Sequence, residues 1–203
     1  YIPNMLAGGL ASRKSRLVAV LIPHLTDSIF NETIERMAEE LVASGVNVML
    51  GVTGMTPDRT EQTIISALGR RVDAIISTGP VTDAITRLVR RSKVRFVQMW
   101  ELPEAPVDIA IGFSHAAVGL EIASYVHARG YCRPHLITAN GSRAAQRTQG
   151  FISAWQDLGG TPPSEAPVDI PSRFGHARQA FGEMRALDTM PDVVVCGSDL
   201  LAQ

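Results

Sequence analysis

Residues 17–52 read LVAVLIPHLTDSIFNETIERMAEELVASGVNVMLGV, and this stretch decides the fold. Leu17–Ile22 is an unbroken β-prone apolar run, as a strand covered on both faces requires. The period then changes. Ile29, Phe30, Ile34, Met37, Ala38, Leu41 and Val42 recur at helical spacing on one stripe, and Gly45 supplies the stop. Residues 46–52 return to strand character, which completes one strand–helix–strand unit.

The same alternation continues along the chain. Thr56-Pro57 opens a helix with Pro at its first position and Ile64, Ile65 and Leu68 as its apolar face. Strand 72–78, a helix over 82–91 and strand 94–100 follow. A Pro-rich loop leads to 109–113, then to a helix capped by Ser114 and closed by Gly130. Next come strand 135–139, a helix near 143–158, a short strand near Val168, a helix near 174–187 and strand 193–197. A repeated βα pattern predicts an α/β fold with mostly parallel sheets, right-handed crossovers and helices on both faces. The chain ends in GSDLLAQ, where Ser198 or Asp199 would cap a helix hardly begun, so a truncated chain is expected.

Composition narrows the function. The chain is 45% hydrophobic and 19% charged, which fits an ordinary soluble globular protein. No apolar run approaches the ~18 residues of a membrane span. A net charge of −1 excludes a wholly basic nucleic-acid binder, although Arg13, Lys14 and Arg16 face no acid among the first 16 residues. Cys132 and Cys196 are far apart, match no metal spacing and read as reduced thiols of a cytoplasmic protein. His24, His115, His127, His135 and His176 show no ligand spacing and read as solvated or capping residues. Dinucleotide and phosphate-loop glycine patterns are absent, as are a nucleophile elbow and a zinc-protease motif. No cofactor, metal or catalytic residue is therefore assigned.

In open α/β sheets ligands bind beyond the carboxyl ends of the strands. Those loops hold His24 and Thr26 after the first strand, and Trp100 and Glu101 after the fourth. Arg143 and Arg147 follow strand 135–139, and Ser198 and Asp199 the last strand. Arginine forks among hydroxyls and aromatics suit a polar, anionic small molecule. Phe30 and Trp100 can each serve either the core or a ligand wall.

The segment ahead of the first strand, YIPNMLAGGLASRKS, carries the pattern Y-x-P-N-x-x-A-x-x-L. With LVAVLIP it resembles the hinge and first core strand of LacI-type transcription repressors. VDAIIST, VDIAIGFSHAAVG through ARGYCRPHLIT, RAAQRTQGFISAW and VVVCGSDLLA extend the resemblance in order along the chain. It implies a hinge and linker at 1–16, a first subdomain of an effector-binding core at 17–112 and part of a second at 113–203. It further implies a two-lobed periplasmic-binding-protein-like core, with the effector between the lobes and no enzyme activity. Phe30, Trp100, Arg147 and Phe174 would take ligand-wall positions, with Arg143 and Ser198 on effector-contacting loops.

The implied partners are a small sugar or sugar acid, operator DNA and a second copy of the chain in a homodimer. Leu10 would act as a minor-groove wedge, with Asn4 and Ala7 on the same DNA-facing side. The helix-turn-helix headpiece of such regulators and the last part of the core would be missing here. W-E-L-x-x-x-P-x-D-x-x-x-G-F-S at 100–114 resembles the gluconate-sensing branch of the family. A periplasmic sugar-binding protein shares the bilobal fold, but it would not need the hinge pattern.

Overall fold

A computed structural model describes residues 14–25, 28–54, 56–169 and 174–203. They form two compact units that divide between Phe113 and Ser114.

The first unit contains strands β1 (Leu17–Ile22), β2 (Asn47–Val52), β3 (Ala74–Ser77), β4 (Arg95–Met99) and β5 (Ile109–Ile111). Its helices are α1 (Ser28–Ala43), α2 (Pro57–Gly69) and α3 (Asp83–Ser92). The strands form one parallel sheet in the order β2-β1-β3-β4-β5. Because β1 is central, its continuous apolar run has both faces to fill. Val18, Val20 and Ile22 pack with Ile34, Met37 and Leu41 of α1 on one side. Ala19 and Leu21 pack with Ile64 and Ala67 of α2 and Ile85 and Val89 of α3 on the other.

The helix boundaries follow local chemistry. Thr56 is the N-cap of α2, with Pro57 in its first turn, while the Thr82 hydroxyl accepts the Ile85 N–H to open α3. Gly45, at φ +72°, takes the left-handed turn after α1. Two apolar assignments need correction: Val42 and Ile65 are 61% and 51% exposed. The α2 stripe runs instead through Thr60, Ile64 and Ala67, all fully buried, and places Ile65 one position off that face.

The second unit contains β6 (Pro134–Ala139), β7 (Ser164–Val168) and β8 (Val193–Cys196). Its helices are α4 (His115–Ala128), α5 (Ser142–Asp157), α6 (Phe174–Met184) and α7 (Asp199–Ala202). The parallel order is β7-β6-β8. Leu136 packs with Ala123 and Val126 of α4 and Phe151 and Trp155 of α5 on one face. Ile137 and Val168 pack with Ala177 and Ala180 of α6 and Leu201 of α7 on the other. The predicted helix near 174–187 stops at Met184.

Both units repeat one device. Asp73, just before β3, accepts the backbone N–H groups of Ser15 and Arg16 at 2.9 and 2.8 Å, fixing the entry to β1. Asp192, just before β8, accepts those of Cys132 and Arg133 at 2.9 and 2.8 Å, fixing the entry to β6. Desolvation pushes the Asp192 pKa up. The two backbone donors and the Arg133 charge outweigh it and hold the carboxyl below its usual range. Each of β1 and β6 is thus tied to its neighbour by a carboxylate that stands immediately before the neighbouring strand.

Two histidines contradict the solvated reading, for His115 is only 3% exposed and His135 only 2%. His135 lies in β6, where its Nδ1 pairs with the Ser164 hydroxyl at 2.7 Å and its Nε2 is buried without a partner. Burial lowers its pKa. The unfolded chain, with histidine near ~6.5, therefore binds more protons than the folded one at mildly acidic pH. This contribution to stability is complete above the unfolded value and is lost as pH falls through the folded one. Melting temperature is expected to drop between pH 7.5 and 5.5. His135→Asn, which can keep a bond to Ser164 but does not titrate, should flatten that slope. An unchanged slope in the variant would contradict the assignment.

Candidate functional site

In the second unit the chain parts at the carboxyl ends of β6 and β8. From β6 it turns into α5 on one face, and from β8 into α7 on the other. Such a switch point leaves a crevice between diverging loops. A cavity of about 370 Å³ lies here, with Thr138, Arg147, Thr148, Gly197, Ser198 and Asp199 as polar lining. Val118, Ile122 and Phe151 supply apolar wall. The size and mixed lining suit a small polar ligand. A hollow of about 590 Å³ along α1, lined by Glu32, Arg36 and Glu40 among others, lies on a helix flank instead.

Close packing of α4 on α5 sets the geometry. A Cβ on Gly119 would meet the Arg147 carbonyl and come within 2.6 Å of the Phe151 nitrogen. A Cβ on Gly150 would meet the Ala116 backbone. Only glycine lets the two backbones approach this far. Arg147 is thereby placed beside His115, one turn before Gly119 on α4.

Arg147 uses its fork to tie three elements together. Its Nη1 donates to His115 Nδ1 at 2.8 Å and its Nη2 to the Gly197 carbonyl at 3.1 Å. Burial first, and the Arg143 charge second, lower its pKa. A guanidinium has five N–H donors, so three remain beyond these two bonds. Thr148 Oγ1 on the same cavity is buried without a hydrogen-bond partner. Burial pushes the Cys196 thiol up, which keeps it protonated rather than nucleophilic. Cys132 is exposed.

The structure therefore brings Arg147, Ser198 and Asp199 to one cavity, with Arg143 one turn earlier on α5. Ser198 is the N-cap residue of α7 and Asp199 stands in its first turn. Arg143 is in the first turn of α5, whereas Arg147 is in the second.

Trp100 and Glu101 belong to the first unit, at the carboxyl end of β4. Trp100 adopts φ +64°, a conformation that is strained for a bulky residue. Its N–H donates to the Ile111 carbonyl at 2.8 Å. A Cβ on Gly112 would meet the Trp100–Glu101 backbone, so that glycine holds the turn in place. Glu101 accepts a 3.4 Å bond from Gln98. Phe30 and Phe174 supply backbone to α1 and α6. Their side chains, Thr26, and the hinge residues Asn4, Ala7 and Leu10 lie outside the described residues.

Sequence reasoning missed His115 and Thr148. The signal for His115 was its position as the first residue of a Ser114-capped helix, but its partner lies 32 residues away. Among the described residues no group of three His, Cys, Asp or Glu side chains could hold a metal. No described helix is long and apolar enough to cross a membrane.

The periplasmic binding protein and LacI sugar-binding domain family matches residues 15–203. The chain belongs to that family. It is 30% identical over 206 residues to the HTH-type transcriptional regulator GntR of Pseudomonas aeruginosa, covering all of this chain and 60% of that protein. It is 27% identical over 207 residues to GntR of Escherichia coli K12, covering all of this chain and 61% of that protein. A crystal structure of a LacI-family transcriptional regulator from Silicibacter pomeroyi superposes with a TM-score of 0.90 at 26% identity, over the whole of this chain and 62% of that one. The chain thus spans about three fifths of the length of these relatives, and its parallel α/β units are those of the family's effector-binding core.

Proposed function

We propose that the protein is a ligand-responsive transcriptional regulator of carbohydrate metabolism, not an enzyme, acting in the cytoplasm as a homodimer on operator DNA. Its effector is a small sugar acid of the gluconate class. The observation that carries the ligand class is Arg147, a half-buried cation on the cavity whose two hydrogen bonds go to neutral acceptors, His115 and the Gly197 carbonyl, and not to Asp199. Such a fork suits a carboxylate, and a neutral sugar would leave its donors poorly matched. The gluconate-type W-E-L…G-F-S pattern and the relatives named GntR support the same class. Phe30, Trp100 and Phe174 are assigned to the ligand wall by the family resemblance, and Thr26 and Glu101 by their place in strand-end loops, with Arg143, Ser198 and Asp199 beside Arg147.

Regulation requires the effector to bind two states of the protein with different affinity. In a mobility-shift assay with the full-length protein and its operator, gluconate is expected to change DNA affinity and glucose is not. An operator affinity blind to every sugar acid would overturn the regulator reading.

The N-terminal segment supplies a separate prediction. Leu10→Ala removes the proposed minor-groove wedge. Burying a leucine is worth about 1.5–3 kcal/mol, so operator affinity should fall about tenfold or more. Effector affinity, measured by calorimetry, should not move. Equal operator affinity at one salt concentration would remove the minor-groove role.

A further inference from the structure

His115 has no part in the sequence-level account of the site, yet it is the acceptor that aims the site's arginine. His115 is 3% exposed and its Nδ1 takes the Arg147 Nη1–H at 2.8 Å. A guanidinium can only donate, so Nδ1 must carry a lone pair, and the ring is the neutral tautomer protonated on Nε2. The geometry is rigid. His115 and Gly119 are four residues apart on α4, and Gly119 touches the Arg147 backbone where the two helices cross.

Among the described residues Arg147 bonds no carboxylate. Arg143, on the same helix, adds a second positive charge. The ring stands in the first turn of α4, where the helix dipole adds partial positive charge. Among the described residues Asp199 is the one carboxylate lining the cavity; it is exposed at the start of α7, and the Arg147 bonds go to His115 and Gly197 rather than to it. A carboxylate at position 115 would hold the guanidinium equally well and neutralise it.

We propose that His115 is a positioning and specificity-determining residue: it orients Arg147 through a neutral acceptor, leaving the cation's full charge to select an anionic ligand over an uncharged one. This rests on the sugar-acid reading above and adds the residue that sets the selectivity.

Asparagine and aspartate are isosteric, both can place an oxygen near the histidine Nδ1, and they differ by one charge. In the full-length protein, gluconate and glucose are titrated calorimetrically into wild type, His115→Asn and His115→Asp. The ratio of the two affinities should stay within about threefold of wild type in the Asn variant and fall about tenfold or more in the Asp variant, where the cation is compensated. A purely structural role would move both affinities together and leave the ratio alone. An Asp variant that keeps the wild-type ratio, or an Asn variant that loses it, overturns the proposal.

A wild-type protein that binds both sugars equally overturns the sugar-acid reading. The part played by His115 is then decided without any ligand, or without the Asp variant should it fail to fold. Imidazole ¹⁵N shifts of the wild type at pH 7.5 should show Nδ1 unprotonated and Nε2 protonated. A protonated Nδ1 overturns the proposal.

Discussion

Arg147→Ala is expected to weaken gluconate binding about a hundredfold or more. Hydrogen bonds to a charged group are worth about 1.5–3 kcal/mol each, and a carboxylate held by a guanidinium forms two. The loss is confined to the site, because the partners left behind, the His115 ring and the Gly197 carbonyl, are neutral. Arg147→Lys separates charge from shape. It keeps the cation but cannot reach His115, Gly197 and a ligand in one plane, so affinity should fall about tenfold. Calorimetry on the full-length protein checks both. A Lys variant with unchanged affinity would show that charge alone holds the ligand and that the fork is incidental.

The second large effect is on folding. Gly150→Val should lower the melting temperature by roughly 2–12 °C, since overpacking costs about 1–3 kcal/mol and each kcal/mol moves a chain of this size by about 2–4 °C. A Cβ at position 150 would stand within 3 Å of the Ala116 backbone, at 2.8 Å from its carbonyl carbon and 2.9 Å from its Cα. Backbone cannot rotate away as a side chain can. Valine would therefore force α4 and α5 apart and loosen the cluster around Phe151 and Trp155. Gly182→Ala in α6 is the control, because nothing lies within 4 Å of its Cβ position. There alanine should stabilise by about 0.4–1 kcal/mol through the lost freedom of the unfolded chain. Thermal unfolding followed by circular dichroism should show opposite signs. A common direction would mean that helix propensity, not the crossing, governs both.

These two sites differ in how far the sequence discloses them. Strand β1 is legible because a central parallel strand must be apolar on both faces, and Leu17–Ile22 is. Helix α2 opens where Thr56 and Pro57 place it, and α4 where Ser114 caps it, because these signals act within four residues. Arg147 and Ser198 could be placed at strand ends by counting βα units. Register between distant segments is not legible. The Asp73 clamp joins residues 58 apart and the Asp192 clamp residues 60 apart, so nothing local marks either. Ile65 and Val42 look like core because a helix turns by 100° per residue, and a stripe drawn one residue too wide still looks periodic. His115 and His135 are polar by type, and the partners that the fold brings to them, Arg147 and Ser164, lie 32 and 29 residues away.

The sensing of an anionic carbohydrate by this core is tested most directly by one comparison, the affinity of the full-length wild-type protein for gluconate against glucose, by calorimetry at a single pH and salt concentration. A charge-assisted pair is worth about 1.5–3 kcal/mol, so gluconate should bind at least about tenfold more tightly. Glucose binding as tightly as gluconate would contradict the account.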